Sequence, residues 1–162
     1  LPSRLFLVAT SVGIAPFLPM LQPLRSRVAV SGTEVVLLFG IRDRSEFLYR
    51  DELLALCEPA SGIELHVCYS REVDSLQDRE HRGYVSDALA GFAPNPEHDR
   101  FMLCGNPQMI DDIFGSLKDQ GFTARQVIRE KYVFASQPKT AVKPALSEEQ
   151  KRLIAEKLRK YR

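Results

Sequence analysis

The runs RLFLVAT (4–10) and EVVLLFGI (34–41) are apolar almost from end to end, and this constrains the fold more than any other feature of the chain. A strand with one wet face alternates apolar and polar residues, whereas a continuously apolar strand is covered on both faces, as in parallel sheets. IELHVCYS (63–70), RFMLCG (100–105) and QVIREKYVF (126–134) supply a third, fourth and fifth strand. Helical stretches fall between them. One starts at Pro16, where a fixed φ suits a first turn. FLYRDELLALC (47–57) and GYVSDALAGF (83–92) follow, and PQMIDDIFGSLKDQG (107–121) opens with proline and ends at glycine. Strand and helix alternating in this way predict an α/β architecture, a doubly wound five-stranded parallel sheet with helices on both faces.

The predicted strand order is 3-2-1-4-5, a Rossmann-like arrangement. The 162 residues fit a single core of this kind. After Phe134 the composition shifts. ASQPKTAVKPA marks a Pro/Lys linker over 135–146, and SEEQKRLIAEKLRKYR (147–162) predicts an appended C-terminal helix. Ser147 and Gln150 make a capping-box pattern there, and Leu153, Ile154, Leu158 and Tyr161 share one face.

Charge excludes some partners. With 22 basic and 21 acidic residues the net charge is +1, so no field favours nucleic acid or an anionic membrane. No apolar run approaches the roughly 20 residues a membrane span requires. Cys57, Cys68 and Cys104 lie too far apart for a metal or redox motif, and their odd number points to a reducing compartment, the cytoplasm. His66, His81 and His98 show no metal-ligand spacing, so no metal is expected.

In an open α/β sheet, ligands bind beyond the carboxyl ends of the strands where the strand order reverses. The loops there are ATSVGIAP, GIRDRS, CYSRE and LCGNPQM. ATSVGIAP (9–16) places small residues before a helix start, which lets backbone amides approach a phosphate; it serves equally as a tight packing turn. It is neither G-x-G-x-x-G nor a P-loop. Ser70 and Arg71 end the third strand, where a guanidinium suits a ribose 2′-phosphate and an acid suits a free 2′-hydroxyl. A solvated turn carrying arginine would look the same. Arg82 and Tyr84 return near that place after a polar loop. Cys104 and Gly105 end the fourth strand and leave room for a flat ring, although a lone cysteine is more often an inert core residue.

ATSVGIAPF, FLYRDEL, YSRE, LCGNPQM and EKY, in this order and spacing, resemble the pyridine-nucleotide domain of the ferredoxin–NADP⁺ reductase superfamily of flavin-dependent reductases. The resemblance runs from about Leu5 to Tyr132 and makes residues 1–134 the NAD(P)-binding domain. It implies that Thr10, Ser11, Val12, Gly13, Ile14, Ala15 and Pro16 wrap the pyrophosphate and nicotinamide side of NADP(H). Arg42 would lie near the adenosine phosphates. Ser70, Arg71, Arg82 and Tyr84 would hold the 2′-phosphate and stack on adenine. Cys104 would face the nicotinamide, with Gly105, Asn106, Gln108 and Met109 along the same wall. Glu130 would sit beside the reacting ring, making Cys104 and Glu130 the catalytic candidates, and Tyr132 would resemble the aromatic that covers the flavin.

The resemblance further implies an enzyme in which FAD or FMN sits in a domain upstream, with a ferredoxin, flavodoxin or other iron–sulfur carrier taking the electrons. Residues 1–162 contain no match to that domain's Arg-x-Tyr-Ser/Thr motif, so the chain alone is expected to bind dinucleotide without turning over. Ser11, Val12 and Gly13 stand where members often carry Gly-Thr-Gly. HRGYVSDAL also resembles NADH-using reductases, which makes an NAD(H) module of an oxygenase or quinone reductase the alternative. A non-catalytic nucleotide-binding or docking module, using helix 147–162 to hold a partner, is a third reading. A flavodoxin-like FMN site is disfavoured because the first loop lacks a Ser/Thr-rich run.

Overall fold

A computed structural model describes residues 2–132. The linker 135–146, the helix 147–162 and the end of the fifth predicted strand, beyond Tyr132, lie outside the described residues. Within them the order is β1 (Arg4–Thr10), α1 (Leu18–Ser31), β2 (Glu34–Ile41), α2 (Arg50–Leu56), β3 (Ile63–Tyr69), β4 (Glu80–Arg82), α3 (Val85–Gly91), β5 (Asp99–Gly105), α4 (Pro107–Asp119) and β6 (Val127–Lys131). All strand pairs are parallel, in the order β4-β3-β2-β1-β5-β6.

The five expected strands keep their expected order, and β4 adds a sixth beside β3. Its residues, Glu80, His81 and Arg82, carry no apolar signal. They pair with Val67, Cys68 and Tyr69, which offer an open edge. A second difference lies before α1, which starts at Leu18 and carries Pro19 in its first turn, rather than starting at Pro16. Ser11–Ile14 instead form a 3₁₀ turn. That turn tucks Ile14 and Phe17 into the core, and a helix begun at Pro16 would not supply this burial.

The continuous apolar runs divide their side chains between two cores. Leu7, Ala9, Leu37 and Phe39 face one side, with Leu21 of α1 and Leu53 of α2. Phe6, Val8, Val36 and Leu38 face the other, with Leu89 of α3 and Ile110, Ile113 and Leu117 of α4. Period-two alternation within an all-apolar run is what a sheet with two covered faces requires. Each such side chain contributes roughly 1.5–3 kcal/mol when fully buried. At the amino ends of the strands, Asp99 accepts hydrogen bonds from Arg4 Nε (3.0 Å), Arg4 Nη2 (2.7 Å) and the Asn95 amide (2.8 Å), which ties β1 to β5.

Central β1 is where the topology reverses, since the chain winds outward to β4 on one side and to β6 on the other. The carboxyl ends of β1 and β5 therefore diverge into separate loops side by side.

Candidate functional site

The floor of that crevice is bare backbone. Gly13 lies so close to the end of β5 that a Cβ there would come within 2.7 Å of the carbonyl carbon of Cys104 and of Cα of Gly105. Gly105 has φ of 135°, and a Cβ on it would come within 2.8 Å of the Thr10 carbonyl oxygen and nearer still to the Thr10 hydroxyl. Only glycine allows both the conformation and the approach. The Thr10 hydroxyl accepts the Asn106 amide at 2.9 Å, which fastens the two loops together. The 3₁₀ turn adds donors, because the first amides of such a turn have no partner within it. Ser11 reaches this turn at φ of 50°, in the left-handed region that disfavours a side chain. Val12 is exposed, Ile14 is fully buried, and Ala15 and Pro16 are half-buried.

Cys104 closes one wall. It is 2% exposed and lies opposite Glu130 in the β5–β6 register. Burial pushes its thiol above the ordinary value, and the Glu130 charge adds to that. A thiol held protonated in this way is a poor nucleophile. Tyr132 packs against the cluster containing Cys104 and donates its amide to the Gly105 carbonyl at 2.9 Å. Its hydroxyl is raised by burial, then by Cys104 and Glu130. The structure so brings Thr10, Gly13, Cys104, Gly105, Glu130 and Tyr132 to one place.

Asn106 has another duty. Its side-chain oxygen caps α4, accepting the amides of Gln108 (2.8 Å) and Met109 (3.2 Å). Gln108 is held along its own helix by Asp112 at 2.8 Å, and Met109 packs on the core under α3 and α4.

A second group gathers over the ends of β2, β3 and β4. The Ser70 and Arg71 amides donate to the Ile41 and Arg42 carbonyls at 3.0 and 2.9 Å, carrying the pairing past the strand ends. Arg82 pairs with Tyr69 in register, and Gly83 returns its amide to the Tyr69 carbonyl. Arg71 and Arg82 thereby leave adjoining edges with exposed guanidinium groups. Each has a carboxylate beside it, Asp43 at 3.5 Å from Arg71 and Glu72 at 3.4 Å from Arg82. Tyr84, 68% exposed, precedes α3 and donates its amide to Asp87 at 3.1 Å. Arg42 is more tightly engaged, with Nε 2.6 Å from Glu46, which keeps its guanidinium above the ordinary value.

Sequence reasoning missed the cluster behind these groups, Arg44, Tyr69 and Glu80. Arg44 and Glu80 form a two-pronged pair at 2.7 and 2.8 Å, and the Tyr69 hydroxyl donates to Glu80 at 2.9 Å. Among the described residues no set of three or more His, Cys, Asp or Glu side chains is grouped to hold a metal. None of the described helices is long and apolar enough to cross a membrane.

A doubly wound sheet with a glycine-floored crevice at its switch point defines a dinucleotide-binding α/β domain. The family model for the oxidoreductase NAD-binding domain matches residues 7–114. The chain is 33% identical over 116 residues to ferredoxin–NADP reductase B of Sorangium cellulosum, covering 67% of this chain and 46% of the relative. With NADH-cytochrome b5 reductase 1 of Pyricularia oryzae it shares 29% over 134 residues, covering 80% of this chain and 43% of that protein. A cytochrome P450 reductase from Amycolatopsis has the same fold, with a TM-score of 0.66 at 24% identity over 82% of this chain and 38% of that one. The chain belongs to the oxidoreductase NAD-binding domain family, within the ferredoxin–NADP⁺ reductase superfamily. It spans less than half the length of the two curated relatives above.

Proposed function

We propose that this chain is the NADP(H)-binding module of a flavin-dependent reductase, residues 1–134 working beside a flavin domain that holds FAD or FMN. The observation that carries this reading is the glycine cradle of Gly13 and Gly105 at the switch point, with Arg71 and Arg82 exposed on the neighbouring strand ends. The close packing of the two glycine loops keeps bulky side chains away from the strand ends, which suits a pyrophosphate held on backbone amides. A bound nicotinamide would supply a hydride to flavin N5, or accept one from it.

The chain's own residues bind and orient. Thr10 to Pro16 wrap the pyrophosphate, with the first amides of the 3₁₀ turn as donors, since the Ala15 amide is already given to Val12 and Pro16 has none. Arg42 lies toward the adenosine phosphates. Ser70, Arg71 and Arg82 hold the 2′-phosphate, and Tyr84 offers its exposed ring to adenine. Cys104 presents a neutral face to the ring, while Asn106, Gln108 and Met109 continue that wall. Glu130 and Tyr132 border the open side toward the flavin domain. Holding two rings in contact makes transfer effectively unimolecular, so orientation is the domain's whole contribution. The relatives named as ferredoxin–NADP reductases support a ferredoxin, flavodoxin or iron–sulfur protein as the electron partner.

A specific observation favours a second reading, an NADH-using module. Asp43 and Glu72 already face Arg71 and Arg82, and their charge opposes an incoming phosphate. Calorimetric titration of the chain with NADP⁺ and NAD⁺ at low salt decides between them. Preference for NADP⁺ of about tenfold or more is expected from one added charge-assisted contact. Equal or NAD⁺-favouring affinity selects the second reading, and binding of neither refutes both.

A further inference from the structure

β4 has only three residues, and the segment that delivers it, residues 70–79, contains no strand or helix. Arg79, just before it, sits at φ of 60°. So short a strand, entered through a strained residue, has little of its own to hold it. What fixes it is Glu80. Its side chain is 10% exposed and accepts from both terminal nitrogens of Arg44, from the Tyr69 hydroxyl and from the Gln77 amide at 2.8 Å. Burial works to raise this carboxyl, yet Arg44, the Gln77 amide and Tyr69 together hold it below the ordinary value.

Arg44 belongs to the turn after β2, 36 positions away in sequence. Its guanidinium also donates to the Ser75 carbonyl and lies 5.1 Å from the centre of the Tyr69 ring. One side chain therefore binds the 70–79 segment, β3 and β4 at once. Arg82 follows Glu80 by two residues, so both point to the same face of the strand. Arg82 Nη2 reaches back to the Val73 carbonyl at 3.1 Å, inside the segment that Arg44 pins.

We infer that Arg44 and Glu80 are positioning residues for cofactor discrimination, locking β4 and the 70–79 segment so that Arg82 is presented beside Arg71. Neither touches the dinucleotide. The inference rests on the reading of Arg71 and Arg82 as readers of the 2′-phosphate. A guanidinium held in place loses less freedom on binding than one that must be ordered by the ligand, so loosening the lock weakens NADP⁺ and spares NAD⁺.

The test is calorimetric titration of the full chain with NADP⁺ and NAD⁺, for wild type, Glu80→Gln, Arg44→Lys, Arg71→Ala, Arg82→Ala and the double variant Glu80→Gln/Arg82→Ala. Glu80→Gln keeps the side-chain shape, and thermal unfolding without nucleotide reports whether the fold survives. Glu80→Gln is expected to weaken NADP⁺ about tenfold and NAD⁺ less than twofold, with Arg44→Lys, which keeps one charge, between it and wild type. In the Arg82→Ala background, Glu80→Gln is expected to add nothing, because its effect runs through Arg82. Equal loss for both cofactors, unchanged NADP⁺ affinity, or full additivity in the double variant overturns the positioning role. If Arg71→Ala and Arg82→Ala leave the cofactor ratio unchanged, the phosphate reading itself fails and takes this inference with it.

Discussion

Gly105→Ala is the most informative single change, because three separate costs converge on one Cβ. The first is conformational. At φ of 135° a side chain is strained by roughly 1–3 kcal/mol. The second is steric. The new carbon would sit 2.8 Å from the Thr10 carbonyl oxygen and 3.0 Å from the Thr10 amide nitrogen, so the ends of β1 and β5 must part. The third is the Asn106–Thr10 hydrogen bond, about 1 kcal/mol, which separation would stretch or break. Together they predict a loss of roughly 3–5 kcal/mol, in the upper tail for point substitutions. Denaturant unfolding measures it, with an unchanged m-value showing that the unfolded state is the same. Gly115→Ala is the internal control. Gly115 lies within α4 with nothing within 4 Å of its absent Cβ, so alanine there is expected to stabilise by about 0.5–1 kcal/mol. A loss at Gly105 under 1 kcal/mol would show that the crevice floor yields, and would refute the claim that only glycine fits it.

Ser11→Gly relieves a left-handed serine, and a gain of about 0.5 kcal/mol in unfolding free energy is expected once the looser unfolded chain is counted. Val12→Thr is a surface exchange of similar shape at a 37% exposed site; it is expected to leave the thermal midpoint unchanged and tighten dinucleotide binding several-fold, about 1 kcal/mol for one hydrogen bond, read by the same titration. His66 gives a pH dependence. Burial lowers its pKa from 6.5; hydrogen bonding to Glu64 opposes that and the nearby His81 adds to it. The folded protein thus holds this proton more weakly than the unfolded chain does. Stability owing to His66 is level above pH 6.5 and falls as pH drops through that value, until the folded imidazole itself titrates. Unfolding midpoints at successive pH values between about 7.5 and 5 check this, and His66→Gln is expected to flatten the slope.

The strands of the sheet interior were legible because runs such as EVVLLFGI have only one stable home, a layer covered on both sides. β4 was not legible. Glu-His-Arg carries neither alternation nor apolarity, and its pairing depends on an edge that exists only after β3 has formed. The start of α1 was misplaced because Pro16 and Pro19 offer the same local signal, and burial of Ile14 and Phe17 decides between them. In the site, the loops were legible as loops and their chemistry as residue types. The close approach of Gly13 to Cys104, and the reach of Arg44 to Glu80, are tertiary facts that spacing along the chain does not encode.

The two outermost strands have a consequence for how copies of this domain meet. A sheet ends in unpaired backbone groups that invite another strand, and long flat edges join readily. Here one margin is the three-residue Glu-His-Arg segment and the other is five residues ending Arg129, Glu130 and Lys131, four of the five exposed. A second copy adding itself at either margin would have to strip water from these charges and would gain only a few ladder bonds. Among the described residues both sheet margins are therefore poor sites for strand addition, and the sheet does not readily lengthen through a second copy.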